Sequence, residues 1–140
     1  MSTRPPSSSS APSAVPAPPE PPVASDVDAL VEHWLTLPDL AEALDIDVVR
    51  VRQLVRDQHV PLVRRGERNV LVVPADFVQD GRLVKGLPGL FTVLADGRFE
   101  PNESLRWLFT ADDSLPGSPI QALRENRGTE VRRRAQALAT

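Results

Sequence analysis

From Leu35 to Gln58 the apolar positions fall into two helical periods separated by one short polar turn. In "LTLPDLAEAL", Leu37, Leu40, Ala41 and Leu44 recur at the spacing of one helix face. Thr36 precedes them and is suited to accept a hydrogen bond from the amide of Asp39, whose carboxylate can return one to Thr36, a capping box. Pro38 falls in the first turn, where its missing N–H costs nothing. "DID" then stops the helix: Asp45 is expected in the left-handed conformation and Asp47 as the N-cap of the next helix. That helix, "VVRVRQLVRDQ", places Val48, Val51, Leu54 and Val55 on one side. Val49, Gln53, Arg56 and Asp57 fall opposite, with Arg50 and Arg52 at the flanks. The pattern then changes to short apolar runs about a charged tip. "PLVRRGERNVLVVP" predicts a strand from Leu62 to Arg65, a turn from Gly66 to Asn69 and a strand from Val70 to Val73.

The C-terminal half returns to helical spacing. "GLPGLFTVLADGRF" predicts a helix with Pro88 in its first turn and Gly97 at its end. "PNESLRWLF" predicts a second, with Leu105, Leu108 and Phe109 on its apolar side. A turn, "DDSLPGSP", precedes a short helix around Ile120 to Arg124. "GTEVRRRAQALA" is the last, capped by Thr129, with Val131, Ala135 and Leu138 turned inward. The predicted fold class is mainly α with a small β-hairpin: a winged helix-turn-helix followed by a C-terminal helical region. These helices either extend the core of the winged unit or form a homodimer interface.

Composition adds a tail. The first 22 residues hold eight of the 15 prolines and six serines, too little apolar surface to offset the entropy of ordering. The chain therefore divides into a disordered Pro/Ser-rich tail over 1–29, a winged unit over 30–80 and a helical region over 81–140. The tail lacks the apolar core of a signal peptide, and no later stretch matches a membrane span, so a cytoplasmic protein without a membrane partner is expected. With no cysteine, a disulfide framework or thiolate metal site is excluded.

Charge changes the picture more. The formal net charge is −3, yet residues 50–68 carry six arginines against Asp57 and Glu67. Residues 1–49 hold one basic and eight acidic residues, so a basic patch sits inside a chain made acidic by its N-terminal third. The patch coincides with the second helix and the hairpin. A recognition helix lies in a major groove about 12 Å wide, with polar side chains at base edges. Arg50, Gln53 and Arg56 are the expected base readers and Arg52 lies nearer the backbone. Arg64, Arg65 and Arg68 are the expected wing contacts to phosphate or minor groove. A solvated charged face is the plain alternative for such a cluster.

The stretch "LTLPDLAEALDIDVVRVRQLVRDQHVPLVRRGERNVLVVPADF" resembles the excisionase/MerR-type winged helix-turn-helix domain. The stretches "VKGLPGLFTVLADGRF", "SLRWLFT" and "EVRRRAQAL" resemble more narrowly a family of small actinobacterial DNA-binding proteins, in which such a domain is fused to a helical C-terminal region. The resemblance covers Trp34 to Thr140. It implies a bacterial cytoplasmic or nucleoid-associated protein whose partner is double-stranded DNA, acting as a transcriptional regulator or an architectural factor. A protein-interaction adaptor using the C-terminal helices is the alternative.

Other chemistry finds little support. There is no P-loop ending in Lys-Ser/Thr, and Asp112–Asp113 beside a proline turn reads as a helix stop. His33 and His59 have no companion ligand pattern, so no enzyme activity, cofactor or metal is expected. Trp34 and Trp107 read as core or interface residues, and Arg132, Arg133 and Arg134 as cations favoured near a helix C-terminus. In the tail, Thr3, Ser7, Ser8, Ser9 and Ser10 are hydroxyls suited to a Ser/Thr protein kinase. Each phosphate would add about −1.5 to −2 charges, able to compete with DNA for the arginine patch.

Overall fold

The helices form where caps and spacing place them. The computed structural model describes residues 20–57, 59–115 and 117–139; Thr3 and the serines from Ser7 to Ser10 lie outside the described residues. Helix α1 (Ser25–Leu30) leads to strand β1 (Trp34–Thr36), α2 (Leu37–Leu44) and α3 (Val48–Arg56). Thr36 Oγ1 accepts from the Asp39 amide at 3.2 Å and the Asp39 carboxylate accepts from the Thr36 amide at 3.4 Å. Asp45 adopts φ 58°, and the Asp47 carboxylate accepts from the Arg50 amide at 3.0 Å. Both aspartates thus do what the turn between α2 and α3 requires.

The wing consists of β2 (Val63–Arg65) and β3 (Val70–Pro74), joined over Gly66–Asn69. Gly66 takes φ 80° in open space, so its lack of a Cβ is needed for backbone conformation and not for room. A third strand joins this sheet, in the order β1-β3-β2, with Leu35 opposite Val73. The sequence reading left β1 out, because three residues directly ahead of a helix cap carry too little alternation to register as a strand.

The stretch 20–29, grouped with the tail on composition, is packed. Pro22 bridges Arg64 in parallel, and Val27 is fully buried. Asn102 holds this segment from the other side: its carbonyl oxygen accepts from the Ala24 amide, and its Nδ2 donates to the Pro22 carbonyl, both at 2.9 Å. Asn102 acts there as a strand edge would, satisfying one donor and one acceptor of a segment whose Pro21 carbonyl and Val23 amide pair with Arg64.

After a 3-10 turn (Ala75–Phe77), β4 (Val78–Gln79) and β5 (Arg82–Leu83) form a second hairpin with Asp80 and Gly81 at φ 56° and 76°. "DG" is the sequence signal for such a turn, and the sequence reading passed over it. Four helices follow: α4 (Leu87–Asp96), α5 (Pro101–Phe109), α6 (Pro119–Arg124) and α7 (Gly128–Ala139). They extend the core. Leu87, Leu90, Leu94, Leu105, Leu108 and Val131 share one buried cluster with Val27, Leu40, Val51 and Phe77. The Phe77 and Phe109 rings lie 5.9 Å apart.

Two details at the end of the chain differ from the sequence reading. Helix α7 begins at Gly128, so Thr129 lies inside it, and Leu138 is 47% exposed while Val131 and Ala135 are buried. The reason is where α4 stops. A Cβ on Gly97 would come within 2.6 Å of the Ala139 side chain, so the last turn of α7 packs on the end of α4 through Ala139. Leu138 is left beyond the core. Gly97 has φ −80°, and the left-handed residue that turns the chain away is Arg98, at φ 69°.

Candidate nucleic-acid interface

Helix α3 is held by Val51, fully buried, and by the half-buried Val48, Leu54 and Val55. Its cap orients the first turn, and its remaining side chains stand outward: Val49, Arg50, Arg52, Gln53 and Arg56 are all exposed. Val49, Arg52, Gln53 and Arg56 follow the i, i+3, i+4, i+7 spacing of one stripe. Arg50 sits to one side, lining a shallow cleft with Gln53, Asp57 and His59.

A groove separates α3 from the wing. Arg52, Val55 and Arg56 line it from the helix, Leu62 and Leu71 from the wing, Leu37 from below, and Glu20 from the N-terminal segment. Of the sequence-predicted site residues of the helix, Arg52 and Arg56 line this groove, and Arg50 and Gln53 line the separate cleft with His59.

The three wing arginines have different surroundings. Arg64 is half-buried: its Nε donates to the Glu20 carbonyl at 2.5 Å, and its backbone pairs with Pro21 and Val23. Arg65 donates through Nε to the Asp28 carboxylate at 2.8 Å, and its guanidinium lies 5.8 Å from the centre of the Trp34 ring. The Trp34 indole N–H donates to the same Asp28 carboxylate. Arg68 stands exposed at the tip, with no ion-pair partner among the described residues. The N-terminal segment thus borders the wing, an arrangement that the sequence reading missed. The signal was present in Val23, Val27 and Val31 at four-residue intervals, the last two of which are buried.

Several cations elsewhere are engaged within the fold, while Arg82, Lys85, Arg98, Arg132 and Arg133 stand exposed. Arg124 donates through Nη1 to the carbonyls of Asp76 and Val78, at 2.7 and 2.9 Å, tying α6 to the link between the wing and β4. Arg134 donates to Ser114 and lies 3.5 Å from Glu130. Arg106 and Asp26 form a two-pronged ion pair at 2.5 and 3.1 Å, and the hydrogen bonds from Arg106 hold the Asp26 carboxyl below its ordinary range. Asp112 is held low in the same way, by hydrogen bonds from Ser114. Asp112 closes a turn with Gly117 instead of facing a second carboxylate.

Among the described residues no cluster of His, Asp and Glu has the arrangement of a metal site, and no helix is long and apolar enough to cross a membrane.

Comparison with known proteins agrees with this architecture in both halves. Residues 21–78 match the family described as "DNA-binding protein Rv2175c, wHTH domain", and residues 84–139 match "Rv2175c C-terminal domain of unknown function". The DNA-binding protein Rv2175c of Mycobacterium tuberculosis (strain ATCC 25618 / H37Rv) is 40% identical over 130 residues, spanning 84% of this chain and 88% of that protein. The solution structure of Rv2175c superposes with a TM-score of 0.70 at 39% identity, covering 78% of this chain and 82% of that one. The chain therefore belongs to the Rv2175c family, a winged helix-turn-helix domain joined to a helical C-terminal domain.

Proposed function

We propose that this protein binds double-stranded DNA and acts as a transcriptional regulator or nucleoid-associated factor in the bacterial cytoplasm. Helix α3 enters the major groove, with Arg50, Gln53 and Arg56 toward base edges and Arg52 nearer the backbone. The wing, through Arg64, Arg65 and Arg68, meets the backbone or the minor groove. The observation that carries this reading is the outer stripe of α3: Arg52, Gln53 and Arg56 are exposed together beside the wing, while Arg106, Arg124 and Arg134 are engaged within the fold. The name of the mycobacterial relative, a DNA-binding protein, supports the same reading. The adaptor alternative has less in its favour, because the C-terminal helices spend their apolar faces on the shared core.

Arg68 is the cleanest probe of the wing, since Arg64 and Arg65 also hold Glu20 and Asp28. Arg68→Ala is expected to weaken binding to all sequences alike and to reduce the salt slope by ~1. Fluorescence anisotropy on genomic fragments across a salt series measures it. An unchanged slope would remove the wing tip from the interface.

The tail enters the described structure at Glu20, on the groove lined by Arg52 and Arg56. This favours a second element of the proposal: phosphorylation of Thr3, Ser7, Ser8, Ser9 or Ser10 by a Ser/Thr kinase lowers DNA affinity. Aspartate at these positions should weaken binding most at low salt, where charge is least screened. Equal affinity of the aspartate variant and wild type at low salt would sink the idea.

A further inference from the structure

One side chain on the outer stripe of α3 is used neither by the fold nor by attraction to phosphate. Val49 is 72% exposed, well above Leu30, Val70 and Leu138, which lie between 37 and 47%. It occupies the first position of the stripe continued by Arg52, Gln53 and Arg56, so it is flanked by cations and an amide and has no apolar neighbour on that face. Helix propensity does not account for it. An exposed β-branched residue in a short helix is less favourable than Lys, Gln, Glu or Ala. Nor does the core, since Val48 and Val51 on either side turn inward.

A cationic stripe that begins with an exposed isopropyl group matches a particular chemistry. In the major groove of unmodified duplex DNA, thymine displays a C5-methyl group, and apolar side chains read it by contact. The three arginines on and beside the stripe favour DNA as the occupant over an apolar protein surface, which would have to bury those charges unpaired. We propose that Val49 is a specificity determinant that packs on the C5-methyl of a thymine, favouring that base at one position of the bound site. The inference rests on the DNA-binding reading above, and adds a residue that charge alone does not reveal.

The probe is a duplex selected by the wild-type protein from a random-sequence pool, with each thymine replaced in turn by uracil. Uracil lacks the methyl and keeps the pairing edge. Val49→Ala is its partner variant, at a site where little packing is lost and alanine is the better helix former. One uracil replacement is expected to weaken wild-type binding about fourfold, the worth of roughly one buried methyl-sized group. Val49→Ala should lose a similar factor on the thymine site, and the two changes together should cost no more than either alone. Insensitivity to uracil at every position, or penalties that multiply, overturns the inference. So does binding of duplex DNA with no sequence enriched, which would leave the DNA reading standing. Failure of the wild type to bind any duplex at low salt overturns the DNA reading itself.

Discussion

Ser104 sits fully buried in α5 with a hydroxyl that has no hydrogen-bond partner among the described residues, while its amide is satisfied by the Glu100 carbonyl. A buried polar group left unmade costs about 1–3 kcal/mol, and alanine is the better helix former at the same position. Ser104→Ala is therefore expected to raise the urea midpoint, by about 1 kcal/mol of stability, without altering DNA affinity. A lower midpoint would mean that the hydroxyl has a partner in solution. Residue-level features of this kind divide sharply by legibility. Asp45 and Asp47 were readable because a helix end imposes its own requirement on the next residue, whatever the rest of the chain does. The Arg64 and Arg65 contacts were not, because their partners, Glu20 and Asp28, are 44 and 37 residues away and no local pattern encodes such pairings.

At the scale of elements, the N-terminal segment and α1 link the two halves. Asn102 grips Pro22 and Ala24, Arg64 grips Glu20, and Arg106 pairs with Asp26. The Arg106 hydrogen bonds lower the Asp26 pKa from its ordinary 3.8, so the unfolded chain takes up this proton first as pH falls. The stabilisation is fully present above pH 3.8 and disappears as pH falls from there through the lower folded value. Both side chains are about half exposed, which keeps the contribution small. Asp26→Asn should thus be slightly less stable than wild type at neutral pH, the gap closing below pH 3.8. Urea titrations at both pH values decide it, and a gap that stays constant into acid would assign the loss to something other than this pair. Helices were the legible elements because a whole apolar face repeats. The strands β1, β4 and β5 have three, two and two residues, too few for alternation to speak.

At the scale of the molecule, the winged domain and the helical domain share a continuous hydrophobic core through Val27, Phe77, Leu94 and Leu105, and α5 packs directly on α1. That those helices contribute to the core was not legible in the sequence, because a single chain's periodicity does not say which apolar faces meet. Exposed arginines gather on α3 and at the wing tip. The most direct test is a titration of isotope-labelled protein with duplex DNA, following backbone amides. The account predicts that shifts concentrate in Val49–Arg56 and in the wing turn from Gly66 to Asn69, with the amides of α5, α6 and α7 unmoved. Shifts centred on α5 to α7, with α3 and the wing silent, would contradict it.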